Sequence, residues 1–196
     1  MVADADVDAA VTAVREGGVV VYPTETVYGL GADALDPDAV ERVFALKGRA
    51  RDRPVSLGVE SVEAALAHVR VSETERAFMD AFLPGPVTVV CEKRGTVPDA
   101  LTAGRDRVGV RVPDHDLALT LLERAGPLTA TSANVSGGGS VREVSALDAR
   151  IREAAVVLDD GPTPGTESTV VDVATGTVHR RGAMADRIEA WLQERA

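Results

Sequence analysis

Lysine is almost missing from this chain: among 196 residues only Lys47 and Lys93 occur. Aromatic residues make up 3%, and the one cysteine is Cys91. A single cysteine excludes an internal disulfide and a cysteine-based metal cluster. Its apolar strand context marks it as a structural residue. His68, His115 and His179 lie far apart, without the ligand spacing of a zinc site. No apolar run approaches the roughly 20 residues that span a bilayer. The N-terminal Met1-Val2-Ala3-Asp4 is acidic, where a signal peptide is basic and then apolar. A Gly-x-Ser-x-Gly elbow and a full P-loop signature are also missing. These absences predict a soluble, cytoplasmic protein. Acids outnumber bases 31 to 21, for a net charge of -10 and a pI near 4.8. Such a surface is poorly suited to hold nucleic acid by neutralising many phosphates. Nucleotide contacts are therefore expected locally, inside a pocket. The acidic excess and the avoidance of lysine resemble adaptation to high salt.

What is present is a chain rich in Val, Ala and Leu that alternates strand and helix patterns. Asp4 to Glu16 has apolar residues at helical spacing and stops at Gly17-Gly18. Gly18 to Tyr22 is a continuous apolar run, as in a buried strand. Pro37 opens a helix that ends in the basic run after Leu46. Pro54 to Val59 reads as a strand, and Val62 to Val69 and Glu73 to Phe82 as helices. Val87 to Glu92 and Arg107 to Val112 read as strands, Leu117 to Arg124 as a helix and Leu128 to Thr131 as a strand. Val144 to Glu153 reads as helix and Ala155 to Leu158 as strand. Ser168 to Val173 and Thr177 to Arg181 form a hairpin pattern around Thr175-Gly176, and Ala185 to Glu194 closes the chain as a helix. The expectation is an α/β fold, a single domain over residues 1–196, with a twisted mixed sheet, flanking helices and a concave ligand groove.

Charge is concentrated in one place. Lys47-Gly48-Arg49-Ala50-Arg51-Asp52-Arg53 carries four cations in seven residues of an acidic protein. Arginine forks match phosphate oxygens and lysine adds a mobile charge; the alternative is a solvated helix end whose cations suit the dipole. Three further loops leave strand ends: Pro23 to Gly31, Ser132 to Ser140 and Gly161 to Thr169. Ligands of open α/β sheets collect in such crevices. In the first loop, Thr24 or Thr26 is a candidate helix N-cap and Glu25 a first-turn acid, while Gly29 and Gly31 allow close backbone approach. Ser132 to Ser140 suits either an anion cradle or a plain glycine turn. Arg111 sits inside an apolar strand, and a buried arginine needs an anionic partner. No acid is its evident partner in the sequence, which leaves a ligand carboxylate or phosphate as the candidate.

Six segments in register carry a resemblance: Pro23-Thr24-Glu25-Thr26-Val27-Tyr28-Gly29-Leu30-Gly31, Lys47-x-Arg49, Pro84-Gly85-Pro86-x-Thr88, Val110-Arg111-x-Pro113, Ser132-Ala133-Asn134 and Ser168-Thr169-Val170-Val171-Asp172. They resemble the YrdC family of L-threonylcarbamoyladenylate synthases over nearly the whole chain. The resemblance implies formation of threonylcarbamoyl-AMP and pyrophosphate from L-threonine, bicarbonate and ATP, with Mg²⁺ bound through the ATP phosphates and no protein metal ligand assigned. It further implies transfer of the product by a separate tRNA threonylcarbamoyl transferase to adenosine 37, with tRNA not bound directly and no membrane involved. The expected form is the short one without the extra C-terminal domain.

Carried over by position, the threonine-binding residues fall on Thr26, Arg111 and Ser168. The ATP contacts fall on Lys47, Arg49, Arg53, Arg107, Ala130, Ser132, Ser140 and Arg180, with Lys47 and Arg49 also catalytic and Asn134 fixing its loop. Three positions depart from the family pattern: Gly58 replaces a common histidine, Arg53 an asparagine and Arg107 a threonine. The alternative readings are an RNA-binding or regulatory relative without synthase activity, and a carbamoyl-transfer domain of the hydrogenase-maturation type. The latter is disfavoured because zinc-finger and acylphosphatase regions are absent from the sequence.

Overall fold

Helix α1 (Asp4–Arg15) leads into strand β1 (Val19–Tyr22), followed by β2 (Gly29–Gly31), α2 (Pro37–Lys47), β3 (Ser56–Gly58), α3 (Val62–Ala65) and β4 (Val69–Arg70). Next come α4 (Glu73–Phe82), β5 (Val87–Lys93), α5 (Asp99–Thr102), β6 (Arg107–Arg111), α6 (Asp116–Ala125) and β7 (Leu128–Ser132). The chain continues through a 3₁₀ turn (Val144–Ala146), α7 (Ala149–Ala154), β8 (Ala155–Val157), β9 (Thr169–Asp172), β10 (Thr177–Arg180) and α8 (Ala185–Gln193). The structure is a computed structural model and describes residues 4–195.

Among the described residues ten strands join one mixed sheet in the order β10-β9-β5-β6-β3-β7-β2-β1-β8, with β4 paired to β5. β1/β8, β3/β6 and β5/β9 run parallel, and the other pairs run antiparallel. Strand β1 shows why helices cover both faces at that end. Successive strand residues point to opposite faces. Val20 and Tyr22 pack with Val7 and Val11 of α1 and Leu121 and Leu122 of α6. Val19 and Val21 pack with Ala39 and Val43 of α2 and Ile151 of α7. In the middle of the sheet only one face is covered. Leu57, Val87, Val89, Val108, Val110 and Val171 bury themselves against Phe78 and Met79 of α4, Leu101 of α5 and Ile188 of α8. Each such side chain contributes about 1.5–3 kcal/mol by leaving water.

The sequence pattern misreads three segments. Val62 to Val69 is one helical turn followed by β4, because buried Val69 pairs with Lys93 on the edge of β5. Val144 to Glu153 splits where Asp148 restarts a helix, its side chain accepting from the Arg150 N–H. Gly29–Gly31, expected as loop, is strand β2 between β1 and β7. Glycine has little intrinsic strand preference, so pairing on both sides decides its conformation. No helix begins at Thr24 or Thr26, so neither the N-cap nor the first-turn-acid reading of that segment holds.

The two glycines of β2 make room for a ring. A Cβ on Gly29 would lie 2.9 Å from Tyr22 Cζ, and one on Gly31 would lie 3.0 Å from Tyr22 Cε1. Overpacking of this kind costs about 1–3 kcal/mol. Gly29→Ala is therefore expected to lower the thermal midpoint by several degrees in a denaturation scan. An unchanged midpoint would mean the Tyr22 ring has somewhere else to go.

Candidate functional site

The uncovered face of the central strands is the floor of a groove of about 660 Å³, within the range of small-molecule sites. Its floor residues follow the two-residue strand period: Ser56 and Gly58 on β3, Thr88 and Val90 on β5, Arg107, Gly109 and Arg111 on β6, and Ala130 and Ser132 on β7. Ser168, Val170 and Asp172 continue the row. The site is thus a sheet face, with the loops as its rim, and differs from the strand-end crevice expected from the sequence. Gly109 keeps this floor flat, since a Cβ there would meet Ser56 Oγ and Thr88 Cγ2 at 2.8 Å.

Thr26, Arg49, Arg107, Arg111, Ala130, Ser132, Ser140, Ser168 and Arg180 all border this one hollow. Lys47 and Arg53 are not among its wall residues. The basic run divides at Gly48, whose left-handed φ of 56° caps α2 and turns the chain. Lys47 points inward and is 1% exposed. Its Nζ donates to the Ser132 carbonyl and, at 2.7 Å, to the Asn134 carbonyl. It ties α2 to the Ser132-Ala133-Asn134 turn from behind the wall. Arg51 pairs with Glu41, and Arg53 is exposed. Only Arg49 of the four cations turns to the groove, held by Nε on the Arg53 carbonyl and NH2 on the Pro54 carbonyl, both at 2.8 Å.

Arg111 has an internal partner, contrary to the sequence expectation. Its NH2 donates to Glu25 Oε1 at 2.8 Å and to Thr26 Oγ1 at 3.2 Å. The pair is hidden in sequence because its members are 86 residues apart. Burial pulls the Arg111 pKa down and the Glu25 charge opposes that. Burial also pushes the adjacent Tyr22 hydroxyl up to about 12, with Arg111 partly countering it. Thr24 Oγ1 donates its single hydrogen to the Val27 carbonyl at 2.6 Å. It also accepts from the Thr26 and Val27 N–H groups, both at 3.2 Å, and stands 2.8 Å from Thr26 Oγ1. Thr26 Oγ1 thus lies at the groove between Thr24 and the Arg111 guanidinium.

Arg180 reaches back to the carbonyl of Ser168 at 2.9 Å and to its Oγ at 2.6 Å. The Ser168 hydroxyl hydrogen is thereby left to donate. Arg107 is held by Asp172 at 3.0 Å and lies 3.6 Å from Glu75. Asn134 accepts from Ser132 Oγ and donates to the carbonyls of Val135 at 2.9 Å and Gly138 at 2.7 Å, which shapes the turn before Ser140. Sequence reading missed Glu25, Tyr22, Arg105 and His179, the last three of which line the groove. Extending the strand alternation outward from Arg111 is the signal that finds the floor; nothing local finds Glu25.

Five arginines (Arg49, Arg105, Arg107, Arg111 and Arg180) line the hollow against two acids, Glu167 and Asp172. In a chain of net charge -10 this is a local reversal of sign, suited to a polyanionic small molecule. Fold and site together define an α/β protein with an open cationic groove on a sheet face. Residues 12–182 match the Sua5/YciO/YrdC family, described as "Telomere recombination", and the chain belongs to this family. It is 41% identical over 164 residues to the threonylcarbamoyl-AMP synthase of Pyrococcus abyssi, covering 82% of this chain and 48% of that protein. With the threonylcarbamoyl-AMP synthase of Bacillus subtilis it shares 40% identity over 183 residues, covering 87% and 51%. The crystal structure of P. abyssi Sua5 complexed with L-threonine matches with a TM-score of 0.82 at 38% identity, over 90% of this chain and 54% of that one. The chain spans about half the length of these relatives.

Proposed function

We propose that the groove is a synthase site that forms threonylcarbamoyl-AMP and pyrophosphate from L-threonine, bicarbonate and ATP. The observation that carries this reading is the convergence of Arg49, Arg111, Ser132 and Ser168, from four separate parts of the chain, on one hollow. The threonine found in a relative of the same fold supports the amino acid as one ligand. Arg111 takes its carboxylate, while Ser168 and Thr26 supply hydrogen bonds. Arg49 and Arg180 receive the phosphates.

Little acid–base chemistry is required of side chains. The threonine amine, carbamoylated from bicarbonate with loss of water, presents a carbamate oxygen to the α-phosphorus. That O–P bond forms as the bond to the bridging oxygen breaks and pyrophosphate leaves. Placement in line and neutralisation of phosphate charge supply the rate. Magnesium fits as an ion carried on the phosphates, where it would neutralise their charge. Of the lining acids, Asp172 already accepts from Arg107 and from the Thr175 N–H. The protein's share is to hold those phosphates with Arg49 and Arg180. The product then passes to a transferase that modifies tRNA.

The test is to incubate the protein with ATP, bicarbonate and Mg²⁺, and to look for pyrophosphate that appears only when threonine is added. Threonine-independent release, or none, overturns the reading. Salt-dependent tRNA retention in a gel without any synthesis would favour an RNA-binding relative.

Lys47 makes the site sensitive to pH. Burial, with the Arg49 charge adding to it, lowers its pKa from 10.5 to about 8. Above that pH the amine buried behind the wall loses its charge next to Arg49, so the ATP KM is expected to rise between pH 7 and 9. Stability moves the other way. Between about 8 and 10.5 the unfolded chain binds more protons at this residue than the folded one, so its contribution becomes more favourable as pH rises through that window. The pH profiles of KM and of thermal midpoint, compared with Lys47→Met, separate the two effects; both differences should flatten in the variant.

A further inference from the structure

We infer that Thr169 is a positioning residue, whose buried hydroxyl fixes Ser168 and Arg180 together and so couples the amino-acid end of the groove to its phosphate end. The inference rests on the proposed reading of the groove and adds to it a residue outside the groove wall. Ser168 and Arg180 form one mechanical unit. Arg180 is exposed, and among the described residues both hydrogen bonds of its side chain go to Ser168, at 2.9 Å to the carbonyl and 2.6 Å to Oγ. An exposed arginine has much rotamer freedom to lose, so where its fork points depends on where Ser168 stands.

Ser168 is in turn placed by its neighbour. Thr169 is fully buried, pairs with Val87 of β5 and gives its N–H to the Pro86 carbonyl at 2.9 Å. Its Oγ1 accepts from the N–H groups of Gly182 at 3.2 Å and Met184 at 3.1 Å. Between those two, the Ala183 N–H donates to the Glu167 carbonyl at 3.2 Å. Three consecutive N–H groups therefore hold the chain on both sides of Ser168. Met184 leads directly into α8, which is anchored in the core by Ile188. The packing leaves no slack: a Cβ on Gly182 would lie 2.3 Å from the Glu167 carbonyl oxygen and 2.4 Å from the Ser168 carbonyl carbon. The hydroxyl is the feature that matters, since valine has nearly the same shape and no acceptor. With valine there, two N–H groups lose their partner, and the segment that carries Ser168 comes loose from the one that carries Arg180.

Separate calorimetric titrations of the intact protein with L-threonine and with ATP test this in Thr169→Val and Thr169→Ser. Valine should weaken both ligands by about tenfold, the size of one hydrogen bond to a charged group lost at each end. Serine keeps the hydroxyl and drops only the methyl, so it should bind both ligands as wild type does. A lower thermal midpoint with unchanged affinities would show that Thr169 only supports the fold, and would overturn the inference. Weakening of one ligand alone, or a serine variant that binds as poorly as valine, would overturn it too. If Thr169→Val does not fold, Thr169→Cys takes its place, because a thiol is a weak acceptor, and the same outcomes decide. Wild type that binds neither threonine nor ATP is a different result: it removes the proposed function, and the role of Thr169 falls with it.

Discussion

Arg49→Ala is expected to lower threonine-dependent pyrophosphate release by about 100-fold or more, the usual cost of losing a preorganised group that meets developing charge. Arg49 is preorganised in a specific way. Its Nε and NH2 are anchored on the carbonyls of Arg53 and Pro54 at 2.8 Å, so two of its nitrogens set the plane of the fork before any phosphate arrives. Removing those two bonds costs about 1–3 kcal/mol in total, less than the typical 5–15 kcal/mol stability of a domain. The variant should stay folded by circular dichroism. Arg49→Lys restores charge without the fork and should recover part of the rate. Near-normal turnover in Arg49→Ala would count heavily against the groove as the reacting site.

Arg111→Ala should weaken threonine far more than ATP, read by titrating each ligand separately. The substrate carboxylate loses its partner, while the phosphate arm at Arg49 and Arg180 is untouched. The same substitution strands Glu25, and breaking a buried pair costs about 3–5 kcal/mol. Stability will therefore fall along with affinity, and the two losses have to be separated. The double variant Arg111→Met with Glu25→Gln removes both charges together. It should regain most of the thermal stability and none of the threonine binding. Equal weakening of threonine and ATP in either variant would refute the division of the groove into a carboxylate end and a phosphate end.

The strand β6 shows how far local reading reaches. Val108, Val110 and Val112 alternate with Arg107, Gly109 and Arg111, and alternation alone places the three polar or small positions on the face away from the core. The basic run shows where it stops. Four neighbouring cations look like one site, yet one is buried as a staple, one is paired with Glu41, one is exposed and one faces the groove. A helix ending in a left-handed glycine sends successive side chains in different directions, and linear spacing does not record that.

Sequence by itself determined the alternation of helices and strands, the apolar faces and the ends of α2 and α4, because these depend on residues within a few positions of each other. It also determined the family, through six segments in register. Only the tertiary structure decided that the ligand surface is a sheet face, that glycines form β2 under the Tyr22 ring, and that Glu25 meets Arg111. Each of these depends on strands brought side by side from distant parts of the chain. Their contact energies arise on closure of the sheet and leave no local periodicity to read.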